Sequence, residues 1–295
     1  MNAANTRTWT SFSLPEGTPS VPTTSRGLRY GDGVFVTLAI RSGVLLDAEL
    51  QMGRLHDAAA AIGLIPPDGF DNPVKAANRL AAVVSGFRPA PSDGVARMQL
   101  FGGTGPRGFG RGTIRADALI DVSSSPNVRS PSIVILPDGL VPLPTLPHYK
   151  TCSALANVLC AREAARRGVD AAVRVSGGAL LETGSANVFW YREHTLFTPS
   201  DSLPLYAGSV RTRILECAPV VGLEVKQGEY GANALCEADA VLLVNAVRGI
   251  EYAGSVDGRV LAAPPAALRR LEAEVETVRV AQGIRLTGGG SDSDP

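Results

Sequence analysis

Helical and strand patterns alternate along the second half of this chain, and this alternation limits the possible folds more than any other feature. A helical stripe of apolar residues begins at Leu155 and ends at Gly168, because glycine is typical of helix C-termini. Short apolar runs with strand character then alternate with two further helical patterns. The expected strands are 170–175, 179–182, 187–191, 195–198 and 240–244, and the expected helices are 209–217 and 264–282. Strands and helices mixed within one region predict a domain built from both types of element.

A hairpin and two helices are expected in the first half. Asp47 follows the hairpin and can cap the first helix. Residues 1–25 are rich in Pro, Ser and Thr, so we expect an irregular arm with at most one short strand. The expected elements are strands 34–40 and 44–46, a helix from Asp47 to about Ile62, a helix around 74–84 and a strand around 95–101.

The length and composition of the chain predict two domains. With 295 residues, of which 45% are hydrophobic, it can bury a sizeable core. A stretch rich in Ser and Pro near 123–131 is the best candidate for a linker. We therefore predict a small first domain at 1–124, a linker at 125–131, a larger second domain at 132–287 and a disordered tail at 288–295.

Charge and cysteine usage exclude several classes of protein. The 28 basic and 28 acidic residues give a formal net charge of zero, which argues against a general attraction to nucleic acid or anionic membranes. No run approaches the roughly 18 apolar residues of a membrane-spanning helix, and the first residues do not resemble a signal peptide. The four cysteines include no C-x-x-C pair, so we expect reduced core thiols and no metal site. These features predict a cytoplasmic protein.

Lys150 is a candidate nucleophile. The chain has only three lysines, Lys75, Lys150 and Lys226, although Lys and Arg together number 28. A desolvated lysine amine can deprotonate and add to a carbonyl carbon, whereas a guanidinium group stays protonated. The predicted helix after Lys150 would disfavour a cation at its start, which argues against the alternative of an ordinary surface lysine.

Arg54 and a helix start at Ser209 are candidate anion-binding features. Arg54 lies at four-residue spacing from Leu50 and Ala58 on an apolar helical stripe, so it either pairs with a buried anion or extends past the stripe to water. The backbone N–H groups at Ser209 and Val210 would begin a helix and lack intrahelical partners, which makes them a possible phosphate site. Every helix has such an end, so this signal is weak alone.

A glycine-rich segment and a carboxylate complete the candidate residues. The nine residues from Gly102 to Gly110 include five glycines, so this segment predicts a loop that either presents Arg107 to a ligand or is a mobile surface loop. Glu182 follows an expected strand, and a carboxylate there could keep a pyridine nitrogen protonated; the alternative is a surface glutamate. An amine, an arginine, a helix start and a carboxylate are together the groups that bind pyridoxal 5'-phosphate.

Five motifs resemble those of fold type IV pyridoxal-phosphate enzymes and occur in the same order. This family includes branched-chain aminotransferases, D-amino-acid aminotransferases and 4-amino-4-deoxychorismate lyases. The resemblance covers roughly residues 26–280. It implies an α+β fold of two domains, a small N-terminal α/β domain and a larger C-terminal domain with a mixed, barrel-like sheet. The motifs are Arg26–Phe35 (RGLRYGDGVF), Gly53–Leu55 (GRL), Tyr149–Thr151 (YKT), Glu182–Phe189 (ETGSANVF) and Asn245–Ile250 (NAVRGI).

The resemblance implies a role for each candidate residue. Lys150 is implied to be the Schiff-base lysine, Glu182 the partner of the pyridine nitrogen and Arg54 a phosphate ligand. Main-chain contacts to phosphate or substrate carboxylate are implied at Ser209 and Val210, and at the turn that contains Asn245, Ala246 and Val247. Tyr30 is implied to line the pocket and Arg107 to bind substrate.

Residues 104–109 (TGPRGF) resemble the Gly-rich Gly-x-x-Arg-Gly-aromatic loop of the lyases most, and the pair Asn245-Ala246 also resembles their turn. The resemblance thus implies a homodimeric enzyme of folate synthesis that converts the amine 4-amino-4-deoxychorismate to 4-aminobenzoate and pyruvate. An aminotransferase for branched-chain or D-amino acids is the alternative, and a cofactor-binding protein without activity is a third reading. Val36 replaces a common Glu and Ser153-Ala154 replaces a common Asn with a larger neighbour, so the substrate stays open.

Overall fold

The computed structural model describes residues 7–11, 21–87, 89–105, 107–110, 112–125 and 130–287. Helices in this part of the chain are α1 (Arg26–Tyr30), α2 (Ala48–Ala61), α3 (Pro73–Gly86), α4 (Leu155–Arg166), α5 (Ser209–Cys217), α6 (Asn233–Cys236) and α7 (Ala266–Ala281). None of these helices is long and apolar enough to cross a membrane.

The strands form three sheets. Those before residue 150 are β1 (Arg7–Thr10), β2 (Gly33–Arg41), β3 (Val44–Leu45), β4 (Leu64–Ile65), β5 (Gly94–Gly102), β6 (Ile114–Ser123) and β7 (Ser132–Ile135). Those after it are β8 (Ala171–Ser176), β9 (Ala179–Thr183), β10 (Asn187–Arg192), β11 (Thr195–Pro199), β12 (Glu224–Gly228), β13 (Ala240–Asn245), β14 (Gly249–Tyr252), β15 (Ser255–Val256), β16 (Arg259–Val260) and β17 (Ile284–Arg285).

The chain divides into two compact units that do not follow a single boundary. The first unit takes the described residues within Met1–Ser125, Tyr149–Ser153 and Val280–Pro295, and the second takes those within Pro126–His148 and Ala154–Arg279. The predicted second domain, 132–287, therefore includes two segments that belong to the first unit. The predicted linker lies partly outside the described residues, and the predicted tail at 288–295 lies wholly outside them.

The first unit is a seven-stranded sheet with α2 and α3 packed on one face. Its strand order is β1-β6-β5-β2-β3-β17, and β4 pairs with β6. Alternate residues of β2 point to opposite faces, so Val34, Val36 and Leu38 are buried in the core whereas Phe35 and Thr37 are half-buried on the other face. Val36 is thus a core residue and lies on the face opposite to Phe35.

The expected hairpin and helices of the first half are present, with one difference at the start of α2. Asp47 has a left-handed φ of 53° and makes no side-chain capping hydrogen bond with α2. Asn72 instead caps α3, since its side chain accepts hydrogen bonds from the N–H groups of Val74 and Lys75. Residues before 25 contribute β1, which pairs with β6.

The second unit contains two five-stranded sheets that share a core. Their orders are β12-β11-β10-β13-β14 and β16-β15-β7-β8-β9. Strand β10 is apolar from Val188 to Tyr191 because both of its faces are covered there. Phe189 and Tyr191 pack with α5 and α7, whereas Val188 and Trp190 pack toward the other sheet, near Val173. The predicted α+β, two-domain fold with a curled sheet is confirmed.

The cysteines are free thiols, but only two of the four are buried. Cys160 and Cys217 lie in the core, Cys152 is half-buried and Cys236 is exposed. The expectation of core thiols is therefore wrong for Cys236, because the short helix α6 buries only Leu235.

Gly33 tests the packing of the first unit. An added Cβ would lie 2.8 Å from the carbonyl oxygen of Leu100 and 2.9 Å from Cys152 Sγ. We therefore expect Gly33→Ala to lower the free energy of unfolding by about 1–3 kcal/mol, measured by denaturant titration. Gly53→Ala is the matched control, since Gly53 lies inside α2 with no atom within 4 Å of the added Cβ, and there alanine should stabilise by about 0.5–1 kcal/mol. Equal effects of the two changes would contradict the packing described here.

Candidate active site

Lys150 lies in an extended segment that pairs with β2. The N–H of Phe35 donates to the carbonyl oxygen of Lys150 at 2.9 Å, and the N–H of Cys152 donates to Gly33 at 2.8 Å. The intervening Thr151 forms a β-bridge with Val34. The predicted helix after Lys150 is present as α4, but it begins at Leu155, so Lys150 does not lie at its start. The helix dipole therefore gives no argument about the charge of Lys150. The main chain of Lys150 is held by strand pairing instead.

The side chain of Lys150 shares an aromatic ring with Arg97. Lys150 Nζ lies 5.7 Å from the centroid of the Phe35 ring, and the Arg97 guanidinium carbon lies 4.1 Å from it. Both distances are typical of cation–π contacts. Arg97 Nη2 donates to Gln99 Oε1 at 3.2 Å, whereas its Nε is buried without a hydrogen-bond partner among the described residues. On this face of the sheet, a second basic side chain, Arg97, therefore lies beside the predicted nucleophile Lys150.

Arg97 was missed by the sequence analysis, although the strand register brings it to this face. It pairs with Thr37 on β2, two residues from Phe35, and with Asp121 on β6. Burial raises the pKa of the Asp121 carboxyl group, and the charge of Arg97 opposes that rise. The alternation of β5 and β2 could have indicated this pairing once the two strands were known to be neighbours.

The thiol nearest to Lys150 in sequence is not a competing nucleophile. Burial raises the pKa of Cys152 to about 11, an effect that Asp32 enhances and Arg97 opposes. The thiol is therefore protonated at neutral pH, and the protonated form reacts poorly.

Arg54 lies on α2, at the edge of the buried face that includes Leu55 and Ala58. The residue is half-buried as a whole, but one of its guanidinium nitrogens, Nη1, is fully buried. This burial argues against the reading in which the guanidinium group extends into water. The role of Arg54 toward a phosphate remains a prediction.

The glycine-rich segment Gly102–Gly110 packs on α1 and brings two predicted substrate residues into one region. Tyr30 Oη accepts a hydrogen bond from the N–H of Gly108 at 3.2 Å, and the rings of Tyr30 and Phe109 are 5.3 Å apart. Arg107, next to Gly108, is exposed. The segment thus presents Arg107 from a loop with defined contacts to α1.

In the second unit, Asn187 connects Glu182 to the start of α5. Asn187 Nδ2 donates to Glu182 Oε2 at 2.9 Å and to the carbonyl oxygen of Tyr206 at 2.6 Å. Asn187 Oδ1 accepts from the N–H of Gly208 at 3.1 Å. Asn187 is 5% exposed, so one buried amide orients the carboxylate and fixes the residue before the helix. The sequence analysis included Asn187 in a motif without giving it a role.

The predicted helix start at Ser209 is confirmed, and its environment suits an anion. Ser209 and Val210 are buried, and no side chain in the described part of the chain caps this nine-residue helix. Its first N–H groups therefore lack helical acceptors, as the phosphate reading requires. An added Cβ at Gly208 would lie 2.5 Å from Asn187 Oδ1, so glycine is needed for the close approach.

The turn after β13 is shaped by Asn245. Its Oδ1 accepts hydrogen bonds from the N–H groups of Val247 at 3.0 Å and Arg248 at 2.9 Å. Arg279 Nη2 donates to the carbonyl oxygen of Ala246 at 2.7 Å. The main-chain contact predicted at Val247 would have to share an N–H group that already donates to Asn245. The side chain of Asn245 therefore stabilises the turn, and the hydrogen bond from Arg279 to Ala246 stabilises it further.

These groups fit pyridoxal 5'-phosphate. Lys150 provides an amine on a fixed main chain, Glu182 provides an oriented carboxylate, and the start of α5 provides buried N–H groups for a phosphate. Each of these three groups meets a separate requirement of the cofactor: attachment, protonation of the ring nitrogen and phosphate binding.

Comparisons with known proteins identify the family of this chain. The family model for amino-transferase class IV matches residues 33–252. Aminodeoxychorismate lyase of Vibrio harveyi is 24% identical over 238 residues, which cover 78% of this chain and 85% of the relative. D-alanine aminotransferase of Bacillus licheniformis is 24% identical over 241 residues, which cover 80% and 83%.

The fold is shared with a solved branched-chain aminotransferase from Thermoproteus uzoniensis. The TM-score is 0.82 at 21% identity, with 93% of this chain and 95% of that chain covered. The two sequence relatives have different activities at the same identity, so the match defines the family and not the reaction. Because the family model covers most of the chain, including Lys150 and Glu182, the chain belongs to the class IV aminotransferase family and is a pyridoxal-phosphate-dependent enzyme.

Proposed function

We propose that the enzyme cleaves 4-amino-4-deoxychorismate to 4-aminobenzoate and pyruvate, a reaction of folate synthesis. The observation that carries this proposal is the pair of guanidinium groups on the first unit, Arg97 beside Lys150 and Arg107 on the segment Gly102–Gly110. The substrate has two carboxylates, and guanidinium groups bind carboxylates through paired, charge-assisted hydrogen bonds. The named activity of the Vibrio harveyi relative supports the same reading.

An aminotransferase is the second candidate. The Bacillus licheniformis relative and the Thermoproteus uzoniensis structure are both named aminotransferases, which supports a branched-chain or D-amino-acid substrate. The two activities would use the same cofactor-binding groups. They differ in whether the enzyme releases pyruvate from one substrate or transfers the amine to a second, a 2-oxo acid.

The roles of the chain's own residues follow from their chemistry. When bound, pyridoxal phosphate supplies an aldehyde carbon that accepts amines and a ring that withdraws electrons from the adjacent substrate carbon. In our proposal the Lys150 amine would hold the cofactor covalently, and as a free amine it would remove or relay the substrate α-proton. Glu182 keeps the proton on the pyridine nitrogen.

The remaining residues bind and orient. We assign the phosphate to Arg54 and to the N–H groups of Ser209 and Val210. Arg107 binds a substrate carboxylate, with Tyr30 as a pocket wall. Ala246 and Val247 belong to the turn that Asn245 shapes and offer further main-chain contacts. Aromatisation of the product drives the lyase reaction, so orientation and proton transfer are the main tasks left to the protein.

We also propose that the enzyme is a cytoplasmic, two-fold homodimer. Leu28, on α1, is 63% exposed. Phe109, on the segment Gly102–Gly110 that packs against α1, is 84% exposed. Apolar side chains this exposed on an anchored surface are typical of a subunit contact. In this arrangement the segment Gly102–Gly110 lies at a pocket shared with the partner subunit.

Covalent attachment tests Lys150. We expect borohydride reduction of the holoenzyme to fix the cofactor to the peptide that contains Lys150, as detected by mass spectrometry. Lys150→Ala should abolish turnover and leave the unfolding temperature unchanged, because the side chain is not part of a core cluster. Lys75→Ala and Lys226→Ala are the controls, since both side chains are exposed. A label on either of those residues would refute the assignment.

Cofactor affinity tests Arg54. Loss of a charge-assisted pair of about 1.5–3 kcal/mol should raise the dissociation constant of pyridoxal phosphate at least ~10-fold in Arg54→Ala. Arg54→Lys should recover only part of the affinity, because an ammonium group cannot bind a phosphate through two parallel hydrogen bonds. Arg115→Ala is the control, since that side chain pairs with Asp68 at the surface. Unchanged affinity in Arg54→Ala would show that another group binds the phosphate.

Arg107 tests the reaction itself. The wild type is assayed with enzymatically generated aminodeoxychorismate and, separately, with an amino-acid panel plus 2-oxoglutarate or pyruvate. In the lyase reading, Arg107→Ala should lower kcat/KM for aminodeoxychorismate roughly 10- to 100-fold with little change in cofactor affinity. If the wild type forms no 4-aminobenzoate but transfers amino groups from an amino acid, the lyase proposal is wrong and the aminotransferase stands.

A further inference from the structure

Arg26 is a buried cation on α1, and the glycine-rich segment Gly102–Gly110 packs around it. It is the first residue of α1 and only 6% exposed. Its Nε donates to Asp32 Oδ2 at 2.7 Å, its Nη1 to the carbonyl oxygen of Gly108 at 2.9 Å and its Nη2 to that of Phe109 at 3.3 Å. All three guanidinium nitrogens are therefore used, one on a carboxylate and two on consecutive carbonyls of the segment.

Main-chain contacts join the same two regions of the first unit. The N–H of Arg26 donates to the carbonyl oxygen of Gly103 at 3.0 Å. Ser25 forms a β-bridge with Thr104, and Ser25 Oγ donates to the carbonyl oxygen of Gly102 at 3.3 Å. Residues 102–104 and residues 108–109 are thus held by the start of α1, on both sides of Arg107.

The glycines of this segment allow close approach to Arg26. An added Cβ at Gly102 would lie 3.0 Å from Arg26 Cβ and 3.1 Å from Asp32 Oδ2. At Gly105 an added Cβ would lie 3.5 Å from Arg26 Cδ. Glycine at 102 lets the backbone close around the arginine side chain, so the composition of the segment reflects packing as well as backbone freedom.

We propose that Arg26 is a positioning residue, which holds the carbonyls of Gly108 and Phe109 and so fixes Arg107 for substrate binding. The inference rests on the proposed role of Arg107 toward a substrate carboxylate. The two carbonyls immediately follow Arg107, so anchoring them restricts the backbone from which its side chain extends. A pre-ordered segment binds substrate more tightly than one that must be ordered at each turnover.

Asp32 and Tyr30 complete the set of contacts that Arg26 makes with Gly108 and Phe109, which we call the anchor. Asp32 neutralises the buried guanidinium group, which would otherwise be costly to bury. Tyr30 lies 5.1 Å below the Arg26 guanidinium and also accepts the N–H of Gly108. Gly108 is therefore held at both ends: its N–H group donates to Tyr30, and its carbonyl oxygen accepts from Arg26.

Limited trypsin digestion of the holoenzyme measures the anchor without any substrate. Trypsin cleaves after arginine, and Arg107 is exposed within the anchored segment. We expect Arg26→Lys to accelerate cleavage after Arg107 at least ~10-fold, because one ammonium group cannot replace hydrogen bonds to three acceptors. Arg29→Ala is the matched control on the same helix, since Arg29 is exposed and donates to Thr23 and not to the segment. Equal cleavage rates in Arg26→Lys and Arg29→Ala would overturn the proposal.

Kinetics then test whether Arg26 acts through Arg107. For whichever substrate the wild type uses, Arg26→Lys should raise KM about 10-fold and leave kcat and cofactor affinity nearly unchanged. The same change in the Arg107→Ala background should have no further effect on KM, whereas additive effects would show that Arg26 has only a general structural role. Tyr30→Phe, which removes one acceptor and keeps the ring, should give a smaller acceleration of cleavage than Arg26→Lys. Failure of the lyase assay alone would refute the proposed reaction and leave the digestion result intact.

Discussion

The segment Tyr149–Ser153 pairs with the edge of β2, and the candidate active site depends on this interaction. The main chain on both sides of Thr151 hydrogen-bonds to β2, so Lys150 is held by the same strand that carries Phe35. His148 and Ala154, which flank this segment, belong to the second unit, so the chain enters the first unit for these five residues and then leaves it again. A nucleophile held by strand pairing keeps its position while its side chain stays free to move between partners.

Two buried side chains have an equivalent function elsewhere in the molecule. Asn187 joins the Glu182 carboxylate to the residue before α5, and Arg26 joins α1 to the segment that contains Arg107. Each makes at least three hydrogen bonds, and each packs against a glycine where a Cβ would come within about 3 Å. In both places a glycine and a multidentate polar side chain are needed together, because close packing makes the hydrogen bonds possible.

Local patterns in the sequence predicted most elements, but they could not indicate which distant residues pair. The apolar run of β10 and the helix at Ser209 could be predicted because their buried residues follow the expected strand and helix patterns. The strand β6 was missed because half of its buried positions are alanines, which give little strand signal. The strand β12 was missed because it is a mostly exposed edge strand without apolar alternation. Lys150 and Arg97 meet at Phe35 only through pairings across strands far apart in sequence, so the motif identified Lys150 but not its neighbour.

The distribution of charge explains why the family is easier to recognise than the reaction. In our proposal Lys150 and Glu182 bind the cofactor, which needs an amine for attachment and a carboxylate at its ring nitrogen whatever the reaction is. Arg97 and Arg107 are not required by the cofactor, so their positions are free to vary with the substrate. Arg97 is held on a sheet face by Phe35 and Gln99, whereas Arg107 depends on the contacts of a loop. In our proposal, the choice between eliminating pyruvate and transferring an amine depends on which substrate carboxylates these two arginines bind, and the cofactor-binding residues leave that choice open.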